Sequence, residues 1–175
     1  MEMEKKNLSC LLNNYSFVVP EIQREYVWGA KKNNHVLIQF LNDLNEKLAK
    51  GDANIGFLYS YRSGSEHYLI DGQQRYTTMI LLLHFLSKKE VCVSNDFVRQ
   101  MRPKDTIPAF SYRVRTYTES FLTQLLNSNA TNEKDVKDQK WFKKEYVTDT
   151  TIVSMLGALD VFSELPECEL YVSGR

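Results

Sequence analysis

The sequence predicts an α+β fold, a small mixed sheet with a buried central helix, followed by a helical region. Three observations carry this expectation. Two short β-prone runs, Phe57 to Arg62 and His67 to Ile70, flank the turn-forming Ser63-Gly64-Ser65-Glu66 and read as a hairpin. Gln73 to Ser87 then carries apolar residues nearly all the way round, the pattern of a helix buried on several sides. Leu37, Leu41, Leu44 and Leu48 recur at steps of four, three and four, which lines one face of a helix.

In chain order, Leu8 to Leu12 forms a short helix, and Tyr15 to Val19 a strand that stops at Pro20. An extended segment, "PEIQREYVW", follows. The leucine-faced helix begins at Asn34 or His35 and Gly51 ends it. After the hairpin and the central helix, Asp96 to Met101 suggests a helix, and Pro103 and Pro108 punctuate a loop. Phe110, Tyr112 and Val114 alternate with Ser111, Arg113 and Arg115, which fits either a strand or the lead into a helix at Thr118 to Leu126. Asn127 to Lys140 is polar with no apolar period and reads as an exposed loop or flexible insertion. Ile152, Met155, Leu156, Leu159 and Phe162 mark a last helix from about Thr151 to Leu165, ended by Pro166. Cys168 to Arg175 looks like a strand cut short. The division expected is a domain over residues 1–90 and a truncated helical extension over 91–175.

Composition narrows the function classes. With 175 residues, 43% hydrophobic and 25% charged, the chain suits a soluble globular protein and neither a disordered nor a fibrous one. Twenty-two Lys and Arg balance 22 Asp and Glu, so the long-range field of a dedicated nucleic-acid-binding domain is missing, although a local basic patch remains open. Cys10, Cys92 and Cys168 lack the spacing of a zinc site or a disulfide framework, which fits thiols in a reducing cytoplasm. The N-terminus has no apolar core of a signal peptide, and the longest apolar run, Met79 to Leu83, is far too short to span a bilayer. A cytoplasmic protein with no membrane partner is expected.

The chemistry concentrates at Asp71-Gly72-Gln73-Gln74-Arg75, between an apolar strand and the apolar helix. Asp71 and Gln74 have the spacing of a capping box, in which Gln74 reaches back to the Asp71 N–H. A strand that turns through Gly72 into a helix also aims unpaired backbone N–H groups and the positive end of the helix dipole at one spot. Such a spot favours an anion. Gly72 lets a ligand approach, Arg75 forks onto phosphate oxygens, and Thr77 or Thr78 adds a hydroxyl. Asp71 repels a bare phosphate, so facing one it acts through a divalent cation such as Mg2+. Gln23-Arg24, set among Ile22, Tyr26 and Trp28, repeats the amide and guanidinium and either closes the same pocket or lies on an aromatic-pinned surface segment. His84, inside an apolar helix, reads as a satisfied core or edge residue.

"VPEIQREYVW" (Val19 to Trp28), "IGFLYSY" (Ile55 to Tyr61) and "DGQQRYTTM" (Asp71 to Met79), in this order, resemble the N-terminal domain of GmrSD-type restriction proteins, marked by "IPxYQRxYxW" and "DGQQRLTTL". Ile22 stands where the family has Tyr, Tyr76 and Met79 where it has Leu. The resemblance implies a ParB/sulfiredoxin-like fold whose strand-to-helix turn holds nucleotide phosphates, and NTP hydrolysis, with GTP or another nucleotide, coupled to restriction of modified phage DNA. Carried over, Asp71, Gly72, Gln73, Gln74 and Arg75 form the nucleotide site and Gln23 and Arg24 its second wall. Arg75, aided by Arg24, neutralises phosphate charge, Gln73 or Gln74 positions the attacking water, and Asp71 holds the cation. The usual HNH nuclease domain is not visible here, as His35, His67 and His84 are each isolated, so an HNH domain or subunit is expected as a partner and the chain reads as an N-terminal fragment or a solitary sensor domain. Two alternatives stand beside this. One is a ParB-like DNA-binding module without nucleotide turnover, using Arg99, Arg102, Lys104, Arg113 and Arg115; in the other, Asp71 to Arg75 only caps the helix and braces the strand.

Overall fold

A computed structural model describes residues 4–50, 53–88 and 110–165. Its elements are α1 (Leu8–Asn14), β1 (Ser16–Val19), α2 (Asn34–Ala49), β2 (Tyr59–Ser63), β3 (Glu66–Asp71), α3 (Gln73–Lys88), β4 (Phe110–Tyr112), α4 (Thr116–Leu126), α5 (Glu133–Lys137), a 3-10 turn (Lys144–Thr148) and α6 (Thr150–Glu164). The four strands form one mixed sheet in the order β2-β3-β1-β4. β2 and β3 are the antiparallel hairpin, and β1 runs parallel to both β3 and β4, with Phe17 opposite His67 on one side and Phe110 on the other. The α+β expectation holds.

The central helix is buried as its sequence requires. In α3 every residue from Tyr76 to Leu86 is buried, as are Gln73 and Gln74. Tyr76 meets Phe17 of the sheet with ring centroids 4.8 Å apart, and Phe85 meets Phe162 of α6 at 5.8 Å. Leu37, Leu41 and Leu44 of α2 join the same cluster, which runs unbroken from Leu12 to Phe162. Burying a side chain such as leucine contributes about 1.5–3 kcal/mol, so this shared apolar interior outweighs any single polar contact.

α6 is seated by two devices. Asp149 caps it, its carboxylate accepting from the N–H groups of Thr151 (2.9 Å) and Ile152 (3.2 Å) and from the Thr118 hydroxyl (3.0 Å). Gly157 lies directly on Gly29, so close that a Cβ on Gly157 would sit 2.2 Å from the Gly29 carbonyl oxygen and one on Gly29 would sit 1.9 Å from that of Ser154. Main chain touches main chain there.

Three expectations are revised. Residues 110–115 do both things their pattern allowed: Phe110–Tyr112 is a strand and α4 starts at Thr116. Asn127 to Lys140 is not a free loop, because Ala130 and Val136 are buried and Asn132 caps α5 by accepting from the Asp135 N–H at 2.8 Å. Pro20 to Trp28 is not extended throughout, since it opens on a tight turn closed by the Gln23 N–H on the Pro20 carbonyl (3.0 Å). The helix at Asp96 to Met101, the Pro103 to Pro108 loop and the strand at Cys168 to Arg175 lie outside the described residues.

His84 ties α3 to the segment before α5, donating from Nε2 to the Ala130 carbonyl at 2.8 Å. Burial pushes its pKa down from the ordinary 6.5; the Ala130 carbonyl opposes the shift and Lys88 reinforces it. The unfolded chain therefore takes up a proton that the folded chain resists, and stability is lost as pH falls below the ordinary histidine value. His67, also held down by burial and by Arg62, contributes in the same direction. Thermal melting followed from about pH 7.5 to about pH 5.5 should show a fall in melting temperature that is smaller in His84→Gln than in wild type, because histidine titrates near 6.5 and glutamine not at all. Equal acid losses in both proteins would show that His84 is not the coupled group.

Candidate functional site

β3 ends at Asp71 and the chain turns through Gly72, whose φ of 86° lies in the left-handed region. A Cβ there would also come within 2.5 Å of Leu58 Cδ2 and 2.9 Å of the Phe57 carbonyl oxygen. Glycine is required on both counts. The first helical hydrogen bond of α3 runs from the Tyr76 N–H to the Gly72 carbonyl at 2.9 Å. The N–H groups of Gln73, Gln74 and Arg75 thus have no partner one turn back along the helix, and the positive end of its dipole lies at this corner.

The capping box does not form. Gln74, which such a box turns back on Asp71, points to the other motif: its Nε2 donates to the Glu25 carbonyl (2.8 Å) and its Oε1 accepts from the Val27 N–H (3.0 Å). Gln73 Nε2 donates to the Arg24 carbonyl (2.9 Å). Gln23 Nε2 returns the contact, donating to the Ile70 carbonyl at the end of β3 (3.0 Å). The Tyr26 and Thr78 hydroxyls are 3.0 Å apart, and the Tyr112 hydroxyl donates to the Arg24 carbonyl at 3.3 Å. Segments nearly fifty positions apart in sequence are joined into one polar unit at the edge of the apolar core.

That unit borders a cavity of about 370 Å³, lined by Gln23 and Arg24 on one side and by Asp71 through Arg75 on the other. Arg24 and Asp71 are exposed, and Arg75 is half-buried. Arg75 Nη2 donates to the Phe57 carbonyl at 2.8 Å and stands 3.8 Å from Asp71 Oδ2, too far for a hydrogen bond. Space for the guanidinium comes from Gly56, at φ 92°, where a Cβ would lie 2.3 Å from Arg75 Nη1. Asn54 holds that turn by accepting from the Gly56 N–H at 2.8 Å. Gln73 Oε1 is buried without a hydrogen-bond partner. Two guanidinium groups and the helix N-terminus against one carboxylate make the cavity net positive.

The cavity brings together every candidate site residue of the two motifs except Thr77 and Thr78. Those two lie on the buried side of α3, Thr78 bonded to Tyr26 and Thr77 with its hydroxyl unpartnered, and neither lines the cavity. Asn54, Gly56 and the Phe57 carbonyl, which position Arg75, carry no side-chain chemistry that points to this role; the isolated glycine in "NIGF" is the one signal.

The chain matches the family described as GmrSD restriction endonuclease, N-terminal domain, over residues 8–169. It belongs to that family. The GmrSD N-terminal domain is a restriction-system domain, and its two motifs here form the walls of one cavity. No curated protein and no solved structure matches the chain. Among the described residues no helix is long and apolar enough to cross a membrane, and no group of three or more His, Cys, Asp or Glu side chains could hold a metal ion.

Of the basic residues considered for a DNA-binding face, Arg113 forms a two-armed pair with Glu66 (2.6 and 3.2 Å), which holds the Glu66 carboxyl below its ordinary range. Arg115 pairs with Glu25. Arg99, Arg102 and Lys104 lie outside the described residues.

Replacing Gln74 by Ala strips the Glu25 carbonyl and the Val27 N–H of partners at once. Denaturant unfolding should show a loss of about 2–4 kcal/mol, since each buried polar group left unpaired costs about 1–3 kcal/mol. A loss within the scatter expected of a surface substitution would show that the clamp is not needed.

Proposed function

We propose that this GmrSD N-terminal domain binds a nucleoside triphosphate, GTP or another, in the cavity between its two motifs and hydrolyses it, acting as the nucleotide-dependent sensor of a modification-dependent restriction system. The observation that carries this is a net-positive cavity into which an exposed Arg24, a pinned Arg75 and the free N–H groups of α3 converge beside Gln73, whose buried Oε1 lacks a partner. Phosphate oxygens satisfy every one of those donors. A partnerless buried acceptor calls for a donor, and an attacking water is one.

The roles follow from what each side chain has left to offer. Arg75, held by the Phe57 carbonyl, and Arg24 stabilise the charge that grows on the phosphate oxygens as the terminal phosphoryl group passes to water. Gln73 is fixed through Nε2 on the Arg24 carbonyl, which leaves Oε1 to accept a hydrogen bond from the water and orient it. Gln74 has both amide atoms committed to the main chain and holds the wall on which Arg24 sits. A magnesium ion, if bound, would be held by the exposed carboxylate of Asp71. When bound, the ion offsets phosphate charge. Thr77 and Thr78 serve the core. An HNH nuclease domain or subunit is the partner this reading implies, and DNA is reached through it. The DNA-binding alternative is weakened by the ion pairs of Arg113 and Arg115.

Arg24 is the informative substitution, because its exposed side chain leaves the ligand-free fold intact. Nucleotides at about a hundred times their dissociation constant stabilise a binding protein by about 2.7 kcal/mol, so a melting-temperature panel with and without Mg2+ should show a rise in wild type. Arg24→Ala should keep the ligand-free melting temperature and need at least about tenfold more nucleotide for the same rise, the effect of losing one charge-assisted contact. No rise in wild type with any nucleotide plus Mg2+ would refute the proposal.

A further inference from the structure

The end of β3 opposite Asp71 carries a second concavity, of about 450 Å³, that shares no residue with the first. Its lining includes Lys6, Tyr15, Arg62, Ser65 and His67, and no carboxylate among the described residues. Arg62 and His67 are direct cross-strand partners in the β2–β3 ladder, so their side chains leave the same face of the hairpin about 4.5–5.5 Å apart at Cβ. Arg62 Nε donates to the Gly64 carbonyl at 2.9 Å, which fixes the guanidinium over the turn and uses one of its five donors. The His67 ring is wedged against Tyr15 (4.8 Å) and Phe17 (5.9 Å). Lys6 stands over the Tyr15 ring at 5.1 Å and is paired with Glu4 outside the lining.

The hairpin's own acid does not offset this charge. Glu66 alternates to the opposite face, where Arg113 and the Tyr68 hydroxyl occupy its carboxylate. A fixed cation opposite a histidine, with no acid between them, opposes protonation of the ring in the absence of a counter-charge. Burial, and after it the charge of Arg62, hold the His67 ring below its ordinary pKa, which is the signature of a positive, partly desolvated site.

We propose that this concavity is an oxyanion site that binds a phosphate group between the Arg62 guanidinium, the Ser65 hydroxyl and the His67 ring, with Lys6 at its rim. The site is independent of the nucleotide cavity and stands whether or not that cavity binds. Inorganic phosphate and the backbone of a nucleic acid supply the same chemistry.

Ring resonances of His67, assigned by their loss in His67→Asn, report the site directly. Inorganic phosphate and, separately, a short duplex oligonucleotide are titrated into wild type, Arg62→Gln and Arg24→Ala. The His67 signals should shift saturably and equally in wild type and Arg24→Ala, and Arg62→Gln, with an unchanged melting temperature, should weaken the response at least about tenfold through the lost charge-assisted contact. A response to phosphate and oligonucleotide marks a general phosphate site; a response to the oligonucleotide alone assigns it to a nucleic-acid backbone. His67 signals that stay still with both ligands, or a response that survives Arg62→Gln undiminished, would overturn the proposal. Loss of the response in Arg24→Ala would do so too, by placing the ion in the first cavity.

Discussion

The structure around the candidate site depends on two glutamine amides. The segment from Pro20 to Trp28 has little regular structure, so its main-chain groups lack the partners a helix or sheet would give them, yet Tyr26 at its centre is fully buried. Gln73 and Gln74 supply those partners from the first turn of α3, at Arg24, Glu25 and Val27. A buried main-chain group without a partner costs free energy comparable to a lost hydrogen bond. The amides therefore set where the segment runs, and with it where the Arg24 side chain emerges. Tyr112, reaching the same Arg24 carbonyl from β4, makes the sheet a third party to this placement.

How much could be read from the sequence follows from the range of each interaction. The leucine spacing of α2, the all-round apolarity of α3 and the hairpin turn are local patterns, and the elements form where those patterns lie. The grouping of Asp71 to Arg75 with Gln23 and Arg24 was legible as well, through two short motifs. What Gln74 does was not, because the local spacing to Asp71 suggests a cap while the actual partners are 47 and 49 positions away. Thr77 and Thr78 look like site hydroxyls in the one-letter string, but the rotation of α3 carries them into the core. Ala130 and Val136 show the reverse: two buried apolar side chains and an Asn cap order a segment whose composition is otherwise that of a loop.

Overall neutrality likewise conceals an uneven distribution of charge. Arg113 and Arg115 lie within reach of Glu66 and Glu25 and spend their charge there. Arg24 and Arg62 line concavities at opposite ends of β3. A count of Lys and Arg against Asp and Glu cannot separate these two populations, because only the strand register and the turns decide which arginine meets an acid. The pairing of Arg62 with His67 across the ladder is set by a single hairpin register, and a slip of one residue would put them on opposite faces.

The Gly29 and Gly157 contact gives the domain a stiff joint. Where side chains intervene, rotamers yield and a small shift dies out within a layer. Here one backbone rests on another with nothing compressible between them. Any shift of the last helix toward this contact therefore meets the main chain at Gly29, just beyond the segment that carries Arg24.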